Sequence, residues 1–414
     1  MDTKTLRCGL LGRKLGHSYS PAIHERLADY SYRLFEVEPE DLGAFLQEGA
    51  FDGLNVTIPY KKDVIPYCAE LSDTARAIGA VNTLVRRADG TLWGDNTDAY
   101  GFSMLVQSSG ADIAGKKALV LGSGGASATA QYVLRQLGAR EVVVISRHGE
   151  DNYENLDRHA DAQIAVNTTP VGMYPNTGVS PVDLHRLPRL EAALDVVYNP
   201  ARTEFLLQAE ARGLRRANGL LMLAAQAKKS CEDFTGEPVD DAKIFSITKA
   251  LEAQMHNVIL IGMPGSGKTT IGTLVAKRLG RTFVDADSAL EREAGMPIPE
   301  IFRREGEAGF RRRETAVLAE LGRQSGLVLA TGGGSVTREE NYPLLHQNGE
   351  IFCLQRALER LPSAGRPVSQ ALGAQTIYAQ RKPLYARFAD AMIDNNGTPE
   401  AAAAQILEVL GCSC

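Results

Sequence analysis

Two glycine-rich turns constrain the fold of this chain more than any other feature. The first, GSGG at 122–125, follows the apolar run ALVL and precedes the helical pattern ATAQYVLRQLG. The second, GMPGSGKT at 262–269, follows VILI and precedes TIGTLVAKRLG. A strand, a tight turn and a helix in this order indicate α/β layers with mostly parallel sheets. Because a glycine turn at a helix N-terminus presents backbone N–H groups to phosphate, the two turns predict two nucleotide sites.

Length and charge restrict the class of protein further. With 414 residues, 44% hydrophobic and 23% charged, the chain has the composition of a globular protein of two to three domains. These values exclude a disordered chain, a collagen-like repeat and a disulfide-rich miniprotein. A net charge of −5 gives no indication of a nucleic-acid or membrane-surface partner. We therefore expect small-molecule substrates as partners, and a homo-oligomer stays open.

The cysteines and the lack of long apolar runs favour the cytoplasm. The six cysteines form no Cys-x-x-Cys pair and no zinc-like spacing, so we expect reduced thiols. The tail Cys412-Ser-Cys414 could bind a metal, although we interpret it as a frayed terminus. The first residues lack a secretory apolar segment, and no run reaches the about 18 apolar residues of a membrane span.

The second turn is a full P-loop pattern, G-x-x-x-x-G-K-T. Its backbone N–H groups and the positive end of the next helix are suited to phosphates. Lys268 is expected to reach the outer phosphates, and the Thr269 hydroxyl to help hold Mg²⁺. The pattern therefore predicts an ATP and Mg²⁺ site, with a chance glycine turn as the alternative.

Three clusters downstream bear on the group that accepts the phosphate. Asp285 and Asp287 end the next apolar run, where paired carboxylates suit Mg²⁺ binding and activation of a hydroxyl. The alternative is a helix cap at Asp287 and a surface aspartate. The basic cluster GFRRRE at 309–314 and the turn TGGG at 331–334 could, taken singly, be a solvated helix face and a tight loop.

Taken together, these residues resemble the shikimate kinase family over roughly residues 256–410. The P-loop is generic, and the specific part is the combination of Asp285-x-Asp287, Phe310-Arg311-x-x-Glu314, Gly332-Gly333-Gly334, Gly365-Arg366-Pro367 and Arg381-x-Pro383-Leu384-Tyr385. The resemblance implies a P-loop kinase domain with a parallel sheet. One position departs from the family pattern, because Val368 stands where a leucine usually follows the Arg-Pro pair.

The resemblance also implies roles. Asp285 belongs to the Mg²⁺ side, and Asp287 contacts the shikimate hydroxyls and is the expected base. Arg311 and Arg381 hold the carboxylate, for which a guanidinium fork is suited. Arg366 lies on a mobile lid and reaches the transferring phosphate, while Gly332, Gly333 and Gly334 lie against the ring. The expected ATP contacts are Gly265, Ser266, Gly267, Lys268, Thr269, Thr270 and Arg360.

The first turn is not a strict G-x-G-x-x-G, because Ser127 occupies the last glycine position, so alone it leaves dinucleotide binding open. The next strand, EVVVI, ends at Ser146 and Arg147, where an NAD site usually carries an acidic residue. A cationic side chain suits a 2′-phosphate and favours NADP. The alternative is an exposed arginine at a strand end.

Polar clusters upstream of this turn are each typical of turn chemistry when taken alone. Together they resemble the shikimate dehydrogenase family over roughly residues 6–236. The matching motifs are Ser18-x-Ser20-Pro21, Asn55-Val-Thr57-x-Pro59-x-Lys61, Gly79-Ala80-Val81-Asn82-Thr83, Asn96-Thr97-Asp98, Gly122-x-Gly124-Gly125-Ala126, Asn167-Thr-Thr169-Pro170-x-Gly172-Met173, Asp195-x-Val197-Tyr198 and Asn218-Gly-x-x-Met222-Leu223-x-x-Gln226.

This resemblance implies that NADPH reduces 3-dehydroshikimate to shikimate. Lys61 is the main proton donor and acceptor, helped by Asp98. The implied substrate contacts are Ser18, Ser20, Thr57, Asn82, Asp98, Tyr198 and Gln226. The implied cofactor contacts are Gly122, Ser123, Gly124, Gly125, Ala126, Ser146, Arg147 and Met173. Two features depart from the family: Ser146-Arg147-His148 replaces the usual Asn-Arg-Thr, and the stretch 149–163 is short.

We therefore expect an α/β chain with a two-domain dehydrogenase, including a Rossmann-like NADP domain, followed by a P-loop kinase domain. The expected ranges are a substrate-binding domain at 1–104 completed by 219–240, an NADP domain at 105–218, a linker at 241–255 and a kinase domain at 256–414. The expected function is consecutive reduction and phosphorylation in the shikimate pathway. Alternatives are the same folds acting on quinate, gluconate or a nucleotide, and a nucleotide-sensing or scaffold protein with inactive sites.

Overall fold

The computed structural model describes residues 6–16, 18–49, 51–361 and 374–411. The chain divides into two compact units. The first unit comprises Met1–Met173, Val179–Tyr198 and Phe205–Ala250, and the second comprises Tyr174–Gly178, Asn199–Glu204 and Leu251–Cys414. Arg366 and the tail cysteines Cys412 and Cys414 lie outside the described residues.

The described part of the first unit contains two sheets, of which the first is mixed. Its strands are β1 (Arg7–Gly12), β2 (Ser31–Glu36), β3 (Gly53–Val56), β4 (Cys68–Leu71), β5 (Thr83–Arg86) and β6 (Leu92–Asp95). They lie in the order β2-β1-β3-β5-β6-β4. β5 is antiparallel to both of its neighbours, and the other pairs are parallel.

The helices of this part are α1 (Ser20–Leu27), α2 (Leu42–Glu48), α3 (Asp73–Ile78) and α4 (Asp98–Ser109), with α7 (Leu220–Thr235) returning from later in the chain. α3 begins where the Ser72 hydroxyl accepts the N–H of Ala75 at 3.0 Å. α7 packs on α1 and α4. It therefore brings the segment around Gln226 next to the helix that begins at Asp98.

The second sheet of the first unit is wholly parallel. Its strands are β7 (Lys117–Leu121), β8 (Glu141–Ile145), β9 (Ile164–Asn167), β10 (Ala192–Asp195) and β11 (Arg215–Ala217), in the order β11-β10-β9-β7-β8. β7 and β9 are buried throughout, as expected of strands covered on both faces. α5 (Gly125–Gln136) follows β7 directly, and α6 (Glu204–Ala211) precedes β11. Between β8 and β9 the chain forms a single 3₁₀ turn, Leu156–His159.

The segment interpreted as a linker is helical. α8 spans Ala242–Met255, and the two units divide between Ala250 and Leu251. Ile244, Leu251 and Met255 are buried. The segment has no chemical motif, but its apolar side chains recur at helical spacing, which explains why it packs instead of staying extended.

The described part of the second unit contains one parallel sheet. Its strands are β12 (Asn257–Ile261), β13 (Phe283–Asp285), β14 (Val328–Ala330), β15 (Gly349–Gln355) and β16 (Ala391–Asp394), in the order β13-β14-β12-β15-β16. The helices are α9 (Lys268–Leu279), α10 (Ala286–Ala294), α11 (Ile298–Gly322), α12 (Asn341–His346), α13 (Ala374–Phe388) and α14 (Pro399–Val409). Apolar clusters cover both faces of the sheet.

The predicted α/β class with parallel nucleotide-type sheets is confirmed, with the antiparallel pairs of the first sheet as an addition. In each parallel sheet a glycine turn follows a buried strand at its carboxyl end, where such sheets bind ligands. Within the described residues, none of the helices is both long and apolar enough to cross a membrane.

Candidate active sites

Lys61 and Asp98 form a charged pair in the first unit. Lys61 lies in the turn after β3, Asp98 is the first residue of α4, and Nζ of the lysine lies 2.5 Å from Oδ2 of the aspartate. Their side chains are 23% and 12% exposed. Asp98 thus lies in the first turn of α4, where the helix dipole is favourable for a negatively charged side chain. An ammonium held beside a carboxylate can give a proton to a developing alkoxide.

A buried network of amide and hydroxyl groups fixes the start of the helix that carries Asp98. Oδ1 of Asn82 accepts the N–H of Thr97 at 2.7 Å, and its Nδ2 donates to Oγ1 of Thr97 at 3.1 Å. The Ser230 hydroxyl on α7 lies 2.9 Å from Oγ1 of Thr97 and accepts from Nδ2 of Asn55 at 2.7 Å. The position of Asp98 is thus set by side chains from separate parts of the chain.

A cavity of about 710 Å³ opens beside Lys61. Of the predicted residues, it is lined by Thr57, Lys61, Gly122, Ser123, Gly124, Gly125, Ala126, Ser146 and Arg147. A Cβ added to Gly125 would lie 3.9 Å from Cδ of Lys61, so the glycine turn and the lysine face the same space. The structure therefore brings the expected proton donor together with the expected cofactor turn.

The wall of this cavity fits a phosphorylated dinucleotide. The N–H groups of the first turn of α5 lack partners within the helix, and a Cβ on Gly124 would meet open space. Ser146 and Arg147 lie at the end of β8, and Tyr153 lines the same cavity from the segment that follows. A cation in this position suits a 2′-phosphate better than an unmodified ribose, so the residues present fit NADP.

Asp98 and Asn82, described above, lie outside this lining, and so do five further predicted residues of the first unit: Ser18, Ser20, Met173, Tyr198 and Gln226. The N–H of Ser20 donates to Oγ of Ser18 at 3.2 Å, and Nε2 of Gln226 donates to the Leu223 carbonyl at 2.9 Å. Tyr198 meets Tyr19 edge-on with ring centroids 6.2 Å apart. Among the described contacts, none joins these side chains to Lys61 or Asp98, and their roles stay predictions.

A second cavity, of about 630 Å³, lies at the carboxyl ends of β12, β13 and β14. Of the predicted residues, it is lined by Gly265, Gly267, Lys268, Thr269, Thr270, Asp285, Asp287, Arg311, Gly332, Gly333, Gly334 and Arg381. Ser266, a residue of the P-loop, is buried outside this lining, and Arg360 is exposed and donates to the Asn396 carbonyl. The P-loop residues and the expected acceptor residues therefore share one space.

The P-loop has the geometry of a phosphate cradle. Gly267 has φ 93°, a backbone conformation that favours glycine, and its added Cβ would lie 3.0 Å from Nδ2 of Asn395. α9 begins at Lys268, whose Nζ donates to the carbonyls of Gly262 and Met263 at 2.9 and 3.1 Å. The loop thus curls around the lysine, and its residues fit the phosphates of ATP.

Thr269 and Asp285 supply oxygen ligands of the kind that Mg²⁺ prefers. Oγ1 of Thr269 donates to Oδ2 of Asp285 at 2.9 Å. Oδ1 of Asp285 accepts the N–H of Asp287 at 3.0 Å, which caps α10. Because Mg²⁺ usually takes one or two protein ligands together with phosphate and water, this pair fits the ion.

Asp287 lies in the same cavity with its protonation perturbed. The pKa of its carboxyl is raised to about 6, mainly by burial and also by the nearby carboxylates of Asp285 and Glu314. The cations of Lys268 and Arg311 act in the opposite direction on this pKa. A carboxyl with a raised pKa is a stronger base once ionised, so it can accept the proton of a hydroxyl.

Arg311 is held by Glu314, one helical turn later on α11. Nη1 of the arginine lies 2.7 Å from Oε2 of the glutamate, and the glutamate side chain is 3% exposed. Burial raises the pKa of Glu314, while Arg311 lowers it. A Cβ added to Gly334 would lie 2.3 Å from Nη2 of Arg311, so the glycine turn and the guanidinium are in close contact.

Arg381 and Tyr385, on α13, anchor the same turn. Nη1 of Arg381 donates to the Gly333 carbonyl at 3.0 Å, and the Tyr385 hydroxyl donates to that carbonyl at 2.5 Å. Two guanidinium groups therefore lie next to consecutive glycines in the cavity. This arrangement suits a ligand that carries a carboxylate.

Several residues at these sites were missed by the sequence analysis. Glu314 belongs to a quoted motif but received no role, although its spacing of three from Arg311 on a helix indicates a pair. Tyr153 lines the first cavity from the short segment after β8, and Arg356 lines the second cavity directly after β15. No sequence motif marks either residue. Ser230 follows Gln226 by one helical turn, and only its packing reveals its role.

The first cavity has the features of a dinucleotide-dependent oxidoreductase and the second those of a P-loop phosphotransferase. Comparison with known proteins supplies the families. The sequence model of the shikimate dehydrogenase substrate binding domain matches residues 10–84, and that of shikimate kinase matches residues 264–411. The chain belongs to the shikimate dehydrogenase family and carries a shikimate kinase domain, so both predicted families and the predicted pair of enzyme classes are confirmed.

Relatives of known sequence and structure align with the first part of the chain. It is 37% identical to a shikimate dehydrogenase (NADP(+)) of Clostridium perfringens in an alignment of 267 positions that covers 59% of this chain and 98% of the relative. A chorismate mutase/shikimate 5-dehydrogenase fusion protein from Clostridium acetobutylicum is 36% identical, with TM-score 0.57 and coverage of 60% and 97%. A Thermus thermophilus shikimate 5-dehydrogenase in complex with NADP(H) and shikimate is 33% identical, with TM-score 0.54 and coverage of 59% and 99%.

Proposed function

We propose that this chain reduces the ketone of 3-dehydroshikimate with NADPH in the first cavity and phosphorylates the resulting 3-hydroxyl of shikimate with ATP in the second. The observation that carries the proposal is that Lys61 lines the cavity that also holds the glycine turn, while its ammonium lies 2.5 Å from the carboxylate of Asp98. A relative crystallised with NADP(H) and shikimate supports the choice of both ligands.

In the first cavity, bound NADPH supplies the hydride. As the ketone oxygen gains negative charge, the Lys61 ammonium donates a proton to it, and Asp98 holds the ammonium in place. Thr57 lines the same cavity and offers a hydroxyl to the substrate. Further contacts to the substrate ring are proposed for five side chains outside the cavity lining: Ser18, Ser20, Asn82, Tyr198 and Gln226. The product of this half is an alcohol.

In the second cavity, bound ATP with Mg²⁺ supplies the phosphoryl group. Lys268 and the P-loop amides hold the phosphates, and Thr269 and Asp285 hold the ion. Asp287 accepts the proton of the attacking hydroxyl. Arg311 and Arg381 bind the carboxylate of the acceptor against the triple glycine. In this proposal Arg366 completes the site during transfer.

The two proposed activities can be tested separately in the intact chain. With 3-dehydroshikimate, NADPH, ATP and Mg²⁺, mass spectrometry is expected to detect shikimate 3-phosphate. Lys61→Ala is expected to slow ketone reduction by about 10²–10⁴-fold, the usual contribution of a positioned acid, and to leave phosphorylation of added shikimate unchanged. Asp287→Asn is expected to do the reverse.

Neighbouring exposed residues provide the controls. Lys62→Ala, next to Lys61 in the chain, and Glu293→Gln, on the same helix as Asp287, each remove the charge of an exposed side chain, so both rates are expected to stay within twofold of the original. Normal ketone reduction by Lys61→Ala would show that the first site is wrongly assigned, whatever the second half does.

Arg147 is proposed to select NADP over NAD. Because hydrogen bonds to charged groups contribute roughly 1.5–3 kcal/mol, Arg147→Ala is expected to lower kcat/KM for NADPH by about 10–100-fold and to change that for NADH little. Arg140→Ala, an exposed arginine before β8, is the matched control. Equal use of both cofactors by the original chain would remove the 2′-phosphate assignment.

A further inference from the structure

Arg356 lies beside the P-loop, at a strand end where no motif placed a functional residue. It directly follows β15, which pairs in parallel with β12, the strand that leads into the P-loop. Its Nη1 lies 3.4 Å from the carbonyl oxygen of Gly265, and the side chain lines the second cavity together with Lys268 and Thr269. The carboxyl ends of two adjacent parallel strands thus direct a lysine and an arginine towards one space.

The guanidinium of Arg356 is poorly satisfied by the protein. Its Nε is buried and has no hydrogen-bond partner among the described residues. Its contact with Gly265 is long and goes to a neutral carbonyl, and within the described part of the chain no carboxylate forms an ion pair with it. Arg311, in the same cavity, is by contrast held by Glu314 at 2.7 Å. A buried donor without a partner is unfavourable unless a ligand completes it.

The position of Arg356 separates it from the acceptor side of the cavity. Arg311 lies against Gly334 and Arg381 against Gly333, whereas Arg356 touches the P-loop itself. A planar guanidinium is suited to the paired oxygens of a phosphate. An arginine that served only to brace Gly265 would be expected to make a shorter bond and to leave no buried Nε unpartnered.

We propose that Arg356 binds the phosphate chain of the nucleotide, as a second cation beside Lys268. This assignment rests on the proposed ATP site. The ligand it recognises is a nucleoside di- or triphosphate, through the phosphates rather than the base. The end of a core strand holds this arginine, so it is in place before the nucleotide arrives.

Calorimetric titration of the full chain with ADP and Mg²⁺ tests the proposal. Arg356→Met keeps the length of the side chain and removes its charge, and Arg356→Gln also keeps a donor for the Gly265 carbonyl. Both are expected to weaken ADP binding by about 10–100-fold, the range for a lost hydrogen bond to a charged group. Arg278→Met, an exposed arginine on α9, is the matched control and is expected to bind ADP as the original chain does.

Inorganic tripolyphosphate, which has the phosphates without the base, distinguishes the mode of binding. If Arg356 binds phosphate, both variants lose affinity for tripolyphosphate by the same factor as for ADP. A loss for ADP alone would show stacking on the base and overturn the proposal. If the Met variant does not fold, as judged by circular dichroism, the Gln variant decides.

The outcomes also separate this proposal from the one on which it rests. Failure of the original chain to bind ADP would contradict the proposed kinase function itself. Tight ADP binding by the original chain and equally tight binding by Arg356→Gln would overturn only the role of Arg356.

Discussion

Gly332 lies so close to two carboxylates of the second cavity that a methyl group would not fit between them. A Cβ on residue 332 would lie 2.7 Å from Oε1 of Glu314 and 2.8 Å from Oδ1 of Asp287. Both atoms are side-chain tips that can move, so Gly332→Ala is expected to fold. Because a misplacement of about 1 Å can cost about 10²-fold in rate, shikimate phosphorylation is expected to fall by at least about tenfold.

Gly397→Ala is the matched control in the same unit, because its added Cβ would meet open space and its backbone is not left-handed. Its phosphorylation rate, measured by a coupled ADP assay, is expected to stay within twofold. Full activity of Gly332→Ala would show that the positions of Asp287 and Glu314 do not limit the reaction.

At the residue scale, the sequence predicts those functional residues that belong to a short sequence motif. The glycine turns, Lys268 and the Asp285-Asp287 pair belong to short patterns that recur for a physical reason. The 2.5 Å contact of Lys61 with Asp98 joins positions 37 residues apart, so the resemblance suggested it and spacing alone did not. The role of Arg356 could not be predicted from the sequence, because it depends on the pairing of β15 with β12, the strand that leads into the P-loop.

At the scale of elements, Ser230 connects α7 to the mixed sheet and to the start of α4. Its hydroxyl donates to the Gln226 carbonyl at 2.9 Å and accepts from Nδ2 of Asn55 at 2.7 Å. It also lies 3.0 Å from Oγ1 of Thr83 and 2.9 Å from Oγ1 of Thr97. One hydroxyl therefore satisfies buried groups from several elements.

Ser230→Ala is expected to lower the free energy of unfolding of the first unit by about 1–3 kcal/mol, because Nδ2 of Asn55 loses its shortest partner while buried. Urea unfolding followed by tryptophan fluorescence measures this loss, since Trp93 in β6 is the one tryptophan of the chain. Ser246→Ala, exposed on α8, is expected to change it by less than about 0.5 kcal/mol. Equal values for the two variants would contradict the role of the network.

The elements themselves were predictable to different degrees. Strand, turn and helix around each glycine turn follow from local pattern, and α5 and α9 begin at the turns as the sequence indicates. The absence of a chemical motif in the segment 241–255 favours a linker, whereas the helical spacing of its apolar residues indicates the helix that most of the segment forms. The order β2-β1-β3-β5-β6-β4 could not be predicted, because strand pairing depends on contacts far apart in the chain.

At the scale of the whole molecule, each cavity is lined by residues of one unit alone. A ligand stabilises the native state that binds it, by about 2.7 kcal/mol at a concentration of 100 times its Kd. For a unit of about 150–250 residues this corresponds to roughly 2–4 °C in Tm for each kcal/mol. NADP⁺ is therefore expected to raise the unfolding temperature reported by Trp93 by roughly 5–11 °C, while ADP with Mg²⁺ leaves that transition in place and raises a second one seen by circular dichroism.

Lys268→Met is expected to abolish the ADP effect and preserve the NADP⁺ effect, because the lysine belongs to the second cavity only. A shift of the Trp93 transition by ADP that disappears in Lys268→Met would instead show that nucleotide bound at the P-loop changes the stability of the dehydrogenase unit.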